Sequence, residues 1–404
     1  MIYLMAWRNI WRNKIRSIII MLSVVIGLFA GISVLALYNG MMKSRIRTVI
    51  EAEVGHLQIH HPEFKKDYEP VFVLKNGDEI LKSIRLIPEI KYAAPRSVTQ
   101  GMLSTATGSS GIQINGIIPE LEYRTSQLQK KIIEGTGFSG NKKNEILIGK
   151  KLAVKMKLRT GSKLVLTFTD TSGNIVSGAF RVTGIYQSDN APLDEKNAYV
   201  RMSDLNILLG TGNSFHEIAL LLNKDKDLEK VQNRLKQKFP ETLIESWKEI
   251  SPETQLLVNT VDQYSYMIMF IIMLALAFGI VNTMLMAIIE RTKEVGMMVA
   301  LGMNRLRVFL LVLMETMFLT LAGTPFGLFL GWIVINYYNK NGLDFSGSGK
   351  EMMSSFGFGT MIYPEFPAER VFGVMMIVTG TALIACIFPA VKALRLQPVE
   401  ALRR

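Results

Sequence analysis

Cysteine is all but missing. Cys386 is the single thiol among 404 residues, so no intramolecular disulfide can form, and the redox compartment cannot be read from it. Histidine is scarce as well: His56, His60, His61 and His216 are the whole set. His60 and His61 are adjacent, so on a strand they point to opposite faces. His56 and His60 share a face, but no acid or cysteine is placed to complete a ligand set, and no metal site is expected. A nucleotide-binding loop is lacking too. Gly347-Ser-Gly-Lys350 is followed by Glu351 instead of Ser or Thr and has Asp344 where a first glycine is required. Gly135–Gly140 is followed by Asn141, not Lys. Neither is a Walker A loop, so any ATP used is hydrolysed on another chain. No catalytic constellation stands out elsewhere, and the chain is not expected to be an enzyme. The most informative absence is charge itself. None occurs in Ser17–Met42, Gln263–Ile289, Thr316–Asn339 or Val371–Val391. A helix crosses a bilayer core with roughly 20 apolar residues, so these windows exclude a soluble enzyme.

What charge there is has a pattern. The net charge is +12. Arg8, Arg12, Lys14 and Arg16 precede the first window. Arg291, Lys293, Arg305 and Arg307 lie between the second and third, and Lys392, Arg395, Arg403 and Arg404 follow the fourth. Within residues 1–16, 290–307 and 392–404 only Glu290, Glu294 and Glu400 stand against them, so these segments hold +9 of the +12. They fall on one side of a membrane if all four windows span it, which is the positive-inside arrangement. Both termini are then cytoplasmic, with residues 43–262 and 340–370 outside. The outside part is only mildly basic, so no nucleic-acid partner is expected. The first apolar run is longer than a signal-peptide core and lacks a clear small-x-small cleavage site, so it reads as an uncleaved anchor.

The layout that follows has nine parts. Residues 1–16 form an amphipathic elbow helix. Leu4, Trp7, Trp11 and Ile15 recur at helical spacing beside Arg8, Arg12 and Arg16, which suits the lipid headgroup level or a merely charged flank that fixes topology. Spans follow at 17–42, 263–289, 308–339 and 371–391. Residues 43–262 form a large extracytoplasmic domain, 290–307 a cytoplasmic connection, 340–370 a second outside segment and 392–404 a cytoplasmic tail. In the large domain, Gly55–His61, Ile90–Thr99, His216–Leu222 and Thr242–Trp247 read as strands, and Asp78–Ile87 and Asp227–Phe239 as helices. Two β-α-β units of this kind can build one ferredoxin-like layer around a β-rich insertion at about 112–212. Within the insertion, Lys163–Thr169 and Ile175–Ile185 read as a hairpin around Asp170–Asn174. The fold class is thus a four-span helical membrane protein with a large α+β domain. The 340–370 segment has too many glycines for a regular helix and too many aromatics for a solvated loop. It packs on the large domain or at the membrane surface.

Gly323, Gly327 and Gly331 repeat every four residues in the third span, as do Gly27 and Gly31 in the first. Such ridges let helices approach closely. Glu315, the one acid near a span interior, lies about two turns from the cytoplasmic boundary. A contact with a neighbouring residue at that end is expected ahead of a proton relay.

Between the second and third spans runs Glu290-Arg-Thr-Lys-Glu-Val-Gly-Met-Met-Val-Ala-Leu-Gly302. It reads as a short amphipathic helix, able to pass a partner's push to the spans or to lie on lipid. Its pattern E-R-T-x-E-[IV]-G-x-x-x-A-L-G resembles the coupling-helix signature of FtsX-like ABC permeases, the superfamily of MacB and the lipoprotein-releasing (Lol) permeases. The ending Phe388–Arg403, the start Ala6–Arg16, and Ile146–Ala153, Gly161–Leu166 and Phe180–Ile185 in the large domain are similar to that family in the same order. The resemblance covers nearly the whole chain.

The resemblance implies an inner-membrane permease with a periplasmic MacB-like core: a porter-like layer plus a β-rich insertion. It implies a dimer with itself or a relative, docked to a separate cytoplasmic ATPase that binds ATP and Mg; no cofactor is implied in this chain. Carried over by position, Glu290, Arg291, Lys293, Glu294, Val295, Gly296, Ala300 and Gly302 would meet the ATPase and pass its motion outward. The chain carries no fused ATPase, unlike MacB, and has four spans where peptide-antibiotic detoxifying permeases have ten. Its large domain exceeds that of the divisome member. It therefore looks most like a lipoprotein-releasing permease. In that group, lipoproteins enter between the first and second spans of paired permeases. Leu28, Ile32, Leu35, Met267, Phe270, Ile271 and Leu274 are candidates for the acyl-chain wall. One such subunit recruits a periplasmic lipoprotein carrier through a hairpin hook. The hairpin tip Asp170–Ser177 is a candidate counterpart, without a matching hook sequence. Two other readings stand beside this one: a MacB-like efflux or mechanotransmission permease with a periplasmic adaptor, and a membrane sensor or scaffold that transports nothing.

Overall fold

A computed structural model describes residues 2–12, 14–139, 143–290, 292–301, 303–347, 349–366 and 368–394. The chain divides into two compact units. One comprises Met1–Met42, Val258–Leu343 and Ile362–Arg404; the other comprises Lys43–Leu257 and Asp344–Met361.

The first unit is helical. Its helices are Ile2–Arg12, Lys14–Val49, Pro252–Glu290, Thr292–Ala300, Arg305–Asn341 and Ala368–Leu394. Four are long and apolar enough to cross a membrane, over 17–49, 252–290, 305–341 and 370–392. The basic stretch at the start is split. Ile2–Arg12 is a helix of its own, and Lys14 and Ile15 already belong to the next. In the second span, Met269, Met273, Leu276, Ile280, Met284 and Ile288 form one buried stripe at four-residue spacing with a single three-residue step. That stripe packs with Ile20, Val24, Leu28, Ile32 and Leu35 of the first span, and with Val378, Ala382 and Cys386 of the fourth. The third span presents glycine to the first. A Cβ on Gly323 would stand 3.1 Å from Met21 O, and one on Gly327 3.2 Å from Leu28 Cβ. Gly27 and Gly31 take up Leu276 and Met269 in the same way. Thr316, Thr320 and Thr324 each donate to the carbonyl four residues earlier, at 3.1, 2.9 and 2.8 Å. Buried hydroxyls are thereby satisfied without water.

The second unit is β-rich. Its strands are β1 (Leu57–His60), β2 (Ile90–Thr105), β3 (Gly108–Ile117), β4 (Ile132–Gly135), β5 (Glu145–Gly149), β6 (Lys163–Thr169), β7 (Ile175–Tyr186), β8 (Asn197–Arg201), β9 (Glu217–Leu222) and β10 (Leu243–Ser246). The order β10-β1-β9-β2, with helices Gly77–Arg85 and Leu228–Lys238 as the crossovers, is the ferredoxin-like layer expected from the two β-α-β units. The insertion does more than pair hairpins. β2 pairs β3, β3 pairs β8, β8 pairs β5, β5 pairs β7, β7 pairs β6, and β6 returns to β2. These six strands close into a barrel, and closure removes the exposed edges a flat sheet would leave. β2 is 16 residues long because its first half belongs to the layer and its second half to the barrel. Gly101 sits where they meet, and a Cβ there would lie 2.6 Å from Thr167 O.

At the base of the layer a buried guanidinium fixes three segments. Arg96 donates to Glu122 through Nε at 2.9 Å and Nη2 at 2.6 Å, and to Glu217 at 3.3 Å. Burial alone would favour the neutral arginine, but the two carboxylates outweigh it and hold it charged. Of residues 340–370, Asp344–Met361 belongs to the β-rich unit, where Gly359 N donates to Ser44 Oγ at 3.2 Å. The hairpin tip is not free-standing. β6 and β7 pair up to Thr169 and Ile175, and Thr171 N donates to Leu209 O at 3.0 Å, which seats the turn on the Met202–Leu209 helix.

Candidate functional site

The described residues of the helical unit surround an open concavity. It is a cleft of about 400 Å³ between the Ile2–Arg12 helix, the end of the second span, the Thr292–Ala300 helix and the start of the third span. Met5, Met284, Met297 and Met298 give it soft walls, which adapt to a shifting neighbour. Polar groups enter at Asn9, Arg12, Glu294 and Glu315.

The Thr292–Ala300 helix is short and lies close in sequence to both of its neighbours. Thr292 Oγ1 returns to the carbonyls of Ile288 and Ile289 at 3.2 and 2.8 Å. After it, Asn304 caps the third span by accepting from Leu306 N at 3.1 Å. Few residues separate this helix from the second and third spans. Gly296 is buried, whereas Glu290, Lys293 and Met297 are exposed. Glu294 is half-exposed and makes an ion pair with Arg12, fastening this helix to the Ile2–Arg12 helix. Trp7 in turn meets Phe318 edge-on at 6.0 Å, and Ser17 Oγ donates to Ile10 O at 2.9 Å. Glu315 is 5% exposed at the inner wall of the same cleft. Arg291 and Gly302 lie outside the described residues, and the side chains of Val295 and Ala300 are likewise not described.

The seven wall candidates separate. Met267, Phe270, Ile271 and Leu274 form one exposed stripe of the second span. Leu28, Ile32 and Leu35 are buried in the helix-packing core instead. Sequence reasoning could not divide them, because lipid and a neighbouring helix select the same apolar side chains. It also missed the Arg12–Glu294 pair and the cleft. Nothing in the spacing of Arg12 and Glu294, so far apart in sequence, signals a contact.

The histidines have structural partners. His56 Nε2 lies 2.9 Å from Asp225 and His60 Nε2 2.8 Å from Glu245. His61 stacks on Phe72, and His216 stacks on Phe64 while accepting from Val98 N at 3.0 Å.

Comparison with known proteins bears on this geometry. The MacB-like periplasmic core domain family matches residues 17–238, and the FtsX-like permease C-terminal family matches residues 266–398. An uncharacterized ABC transporter permease of Methanocaldococcus jannaschii is 22% identical over 98% of this chain and 96% of its own. The lipoprotein-releasing system transmembrane protein LolC of Neisseria meningitidis is 23% identical over 97% and 95%. The macrolide export ATP-binding/permease protein MacB of Photorhabdus laumondii is 23% identical over 99% of this chain, which spans 60% of that protein. The solved periplasmic region of MacB from Actinobacillus actinomycetemcomitans aligns with 52% of this chain and 95% of its own, at 12% identity and a TM-score of 0.34. With a core-domain match over more than half its length and a permease match over the remaining spans, the chain belongs to the FtsX-like, MacB-type family of ABC transporter permeases.

Proposed function

We propose that this permease carries the motion of a separate cytoplasmic ATPase, which binds ATP and Mg²⁺, to a periplasmic core domain and so releases lipoproteins from the inner membrane. Both termini are cytoplasmic in this reading, and two permeases, identical or related, work side by side. The observation that carries it is the Thr292–Ala300 helix, held between two spans and pinned to the Ile2–Arg12 helix through Glu294. A docking partner that moves this helix moves the spans. Glu290, Lys293, Glu294 and Met297 would face the ATPase, while Gly296 is buried. Met267, Phe270, Ile271 and Leu274 supply the acyl-chain wall, while Leu28, Ile32 and Leu35 hold the first span against the second. Collinearity with LolC over nearly both chains supports the lipoprotein reading.

The match to MacB over 99% of this chain supports a second reading, an efflux or mechanotransmission permease that works with a periplasmic adaptor. The test is to purify the chain from its native membrane in mild detergent and identify its companions. An ATPase with acylated lipoproteins, with or without a soluble carrier, is the expected result. An ATPase with an adaptor and no lipoprotein selects the second reading. An intact complex without any ATPase overturns both and favours a sensor or scaffold.

A further inference from the structure

The β-rich unit holds two buried arginines, and their environments differ. Arg96 is bidentate to Glu122 with short contacts. Arg45, 6% exposed, reaches three chain segments by longer ones. It donates through Nη1 to Glu53 Oε1 at 3.3 Å and to Gly357 O at 3.5 Å, and through Nη2 to Thr254 Oγ1 at 3.1 Å. Its Nε is buried without a hydrogen-bond partner among the described residues. A fully satisfied, short-bonded guanidinium is a fixed brace. A spread, partly satisfied one can exchange partners at smaller cost.

The partners of Arg45 lie on distinct elements. Glu53 is on the π-turn Ile50–Val54 that ends the first long helix, closed by Gly55 N to Ile50 O at 3.0 Å. Such turns insert a residue into the helical ladder and re-aim the side chains around it. Thr254 opens the second long helix. Gly357 belongs to the Asp344–Met361 segment that leads from the third span to the fourth. Glu53 also accepts from Asn190 Nδ2, which caps the Ala191–Lys196 helix of the barrel through Leu193 N. The site requires glycine at 357: its φ is +71°, and a Cβ there would lie 2.3 Å from Arg45 Nη1. Burial pushes the Glu53 carboxyl up, and Arg45 and Asn190 pull it back.

We propose that Arg45 is a positioning residue for force transfer, the clasp that gathers the roots of the first and second long helices and the 344–361 segment onto the barrel through Glu53. This inference rests on the mechanotransmission reading. If ATP-driven displacement reaches the core domain, it arrives along these helix roots. A common fastening would make these roots move together.

The test uses the permease purified with its ATPase and reconstituted in nanodiscs, in a Cys386→Ser background. Cysteines at the exposed positions Ile15 and Ile207 carry spin labels, and their separation is measured with and without ATP. The parent is expected to shift its distance distribution on ATP binding. Arg45→Lys and Thr254→Val are expected to hydrolyse ATP within roughly twofold of the parent but to lose most of that shift. Gly357→Ala is expected to do the same from the opposite side of the clasp. An undiminished shift in Arg45→Lys and Thr254→Val overturns the clasp. So does loss of amide protection in β5 and β8 of those variants, which would mark a merely structural role. A parent with no ATP-dependent shift, in a complex that hydrolyses ATP, overturns the mechanotransmission reading itself.

Discussion

Asp194 shows how one buried carboxyl sets a pH response. It is 2% exposed and accepts from Ser188 N at 3.1 and 3.0 Å and from Ser188 Oγ at 2.6 Å. Burial pushes it up to about 7, and those hydrogen bonds only partly oppose it. The folded chain thus keeps a proton that the unfolded chain releases near its ordinary value of 3.8. Its contribution to stability is fully present below that value and is lost as pH rises toward 7. The loss is at most about 1.4 kcal/mol per pH unit. Glu53 and Asp189 are raised by burial in the same direction. His216 is lowered by burial and works the other way below its ordinary value of 6.5. Glu245, lowered by its hydrogen bond with His60, loses its contribution only as pH falls below its ordinary value. The comparison that isolates Asp194 is therefore parent against Asp194→Asn. Urea unfolding of the full chain in detergent, followed by amide exchange in β5 and β8, is expected to lose stability more steeply between pH 5 and 7 in the parent than in the variant. Equal slopes would show that this carboxyl titrates normally.

At the scale of elements, the third span is bound to the first by absence of side chains. Gly327→Val puts a branched side chain where even a Cβ stands 3.2 Å from Val25 O and Leu28 Cβ. Overpacking of this kind costs about 1–3 kcal/mol, and a lower unfolding temperature of the detergent-solubilised chain is the expected outcome. Gly331→Ala, whose Cβ would meet Ile32 at 3.5 Å, is expected to be nearly silent. The Arg12–Glu294 pair calls for a different measurement. Both side chains are about half exposed, so the pair adds roughly 0–1 kcal/mol and is screened by salt. Glu294→Ala should leave the unfolding temperature unchanged but lower cargo release per ATP hydrolysed; an unchanged ratio would count against Glu294 as a coupling residue. Much of this scale was legible in the sequence. Alternation and helical spacing located β1, β2, β9, β10 and the β6–β7 hairpin, and the βαβ sequence order led to the four-stranded layer. Closure of the barrel was not legible, because a strand shared by two sheets has the same local pattern as a strand in one. The split of the wall residues was hidden by the shared apolarity of lipid-facing and helix-facing positions. The fastening of Glu294 to Arg12 joins residues too far apart in sequence for any periodicity to link them.

At the scale of the whole molecule the governing quantity is where charge lies relative to the four spans. Short connections rich in Lys and Arg stay on the cytoplasmic side, and three such segments hold +9 of the net +12. Their agreement is a physical argument for orientation, since reversing the chain would carry all three basic segments across the membrane. In that orientation the Thr292–Ala300 helix would lie where a cytoplasmic ATPase can reach it, so topology and the coupling proposal stand together. Single cysteines at Ile207 in the β-rich unit and at Leu301 after the coupling helix, both strongly exposed, test this in a Cys386→Ser background. With the outer membrane made permeable and the inner membrane intact, an impermeant maleimide is expected to label Ile207→Cys at once. Leu301→Cys should react only after the inner membrane is opened. The reverse order would put the core domain in the cytoplasm and deny the ATPase its docking helix. Labelling of both sites in intact cells would mean that fewer than four of the apolar helices span the bilayer.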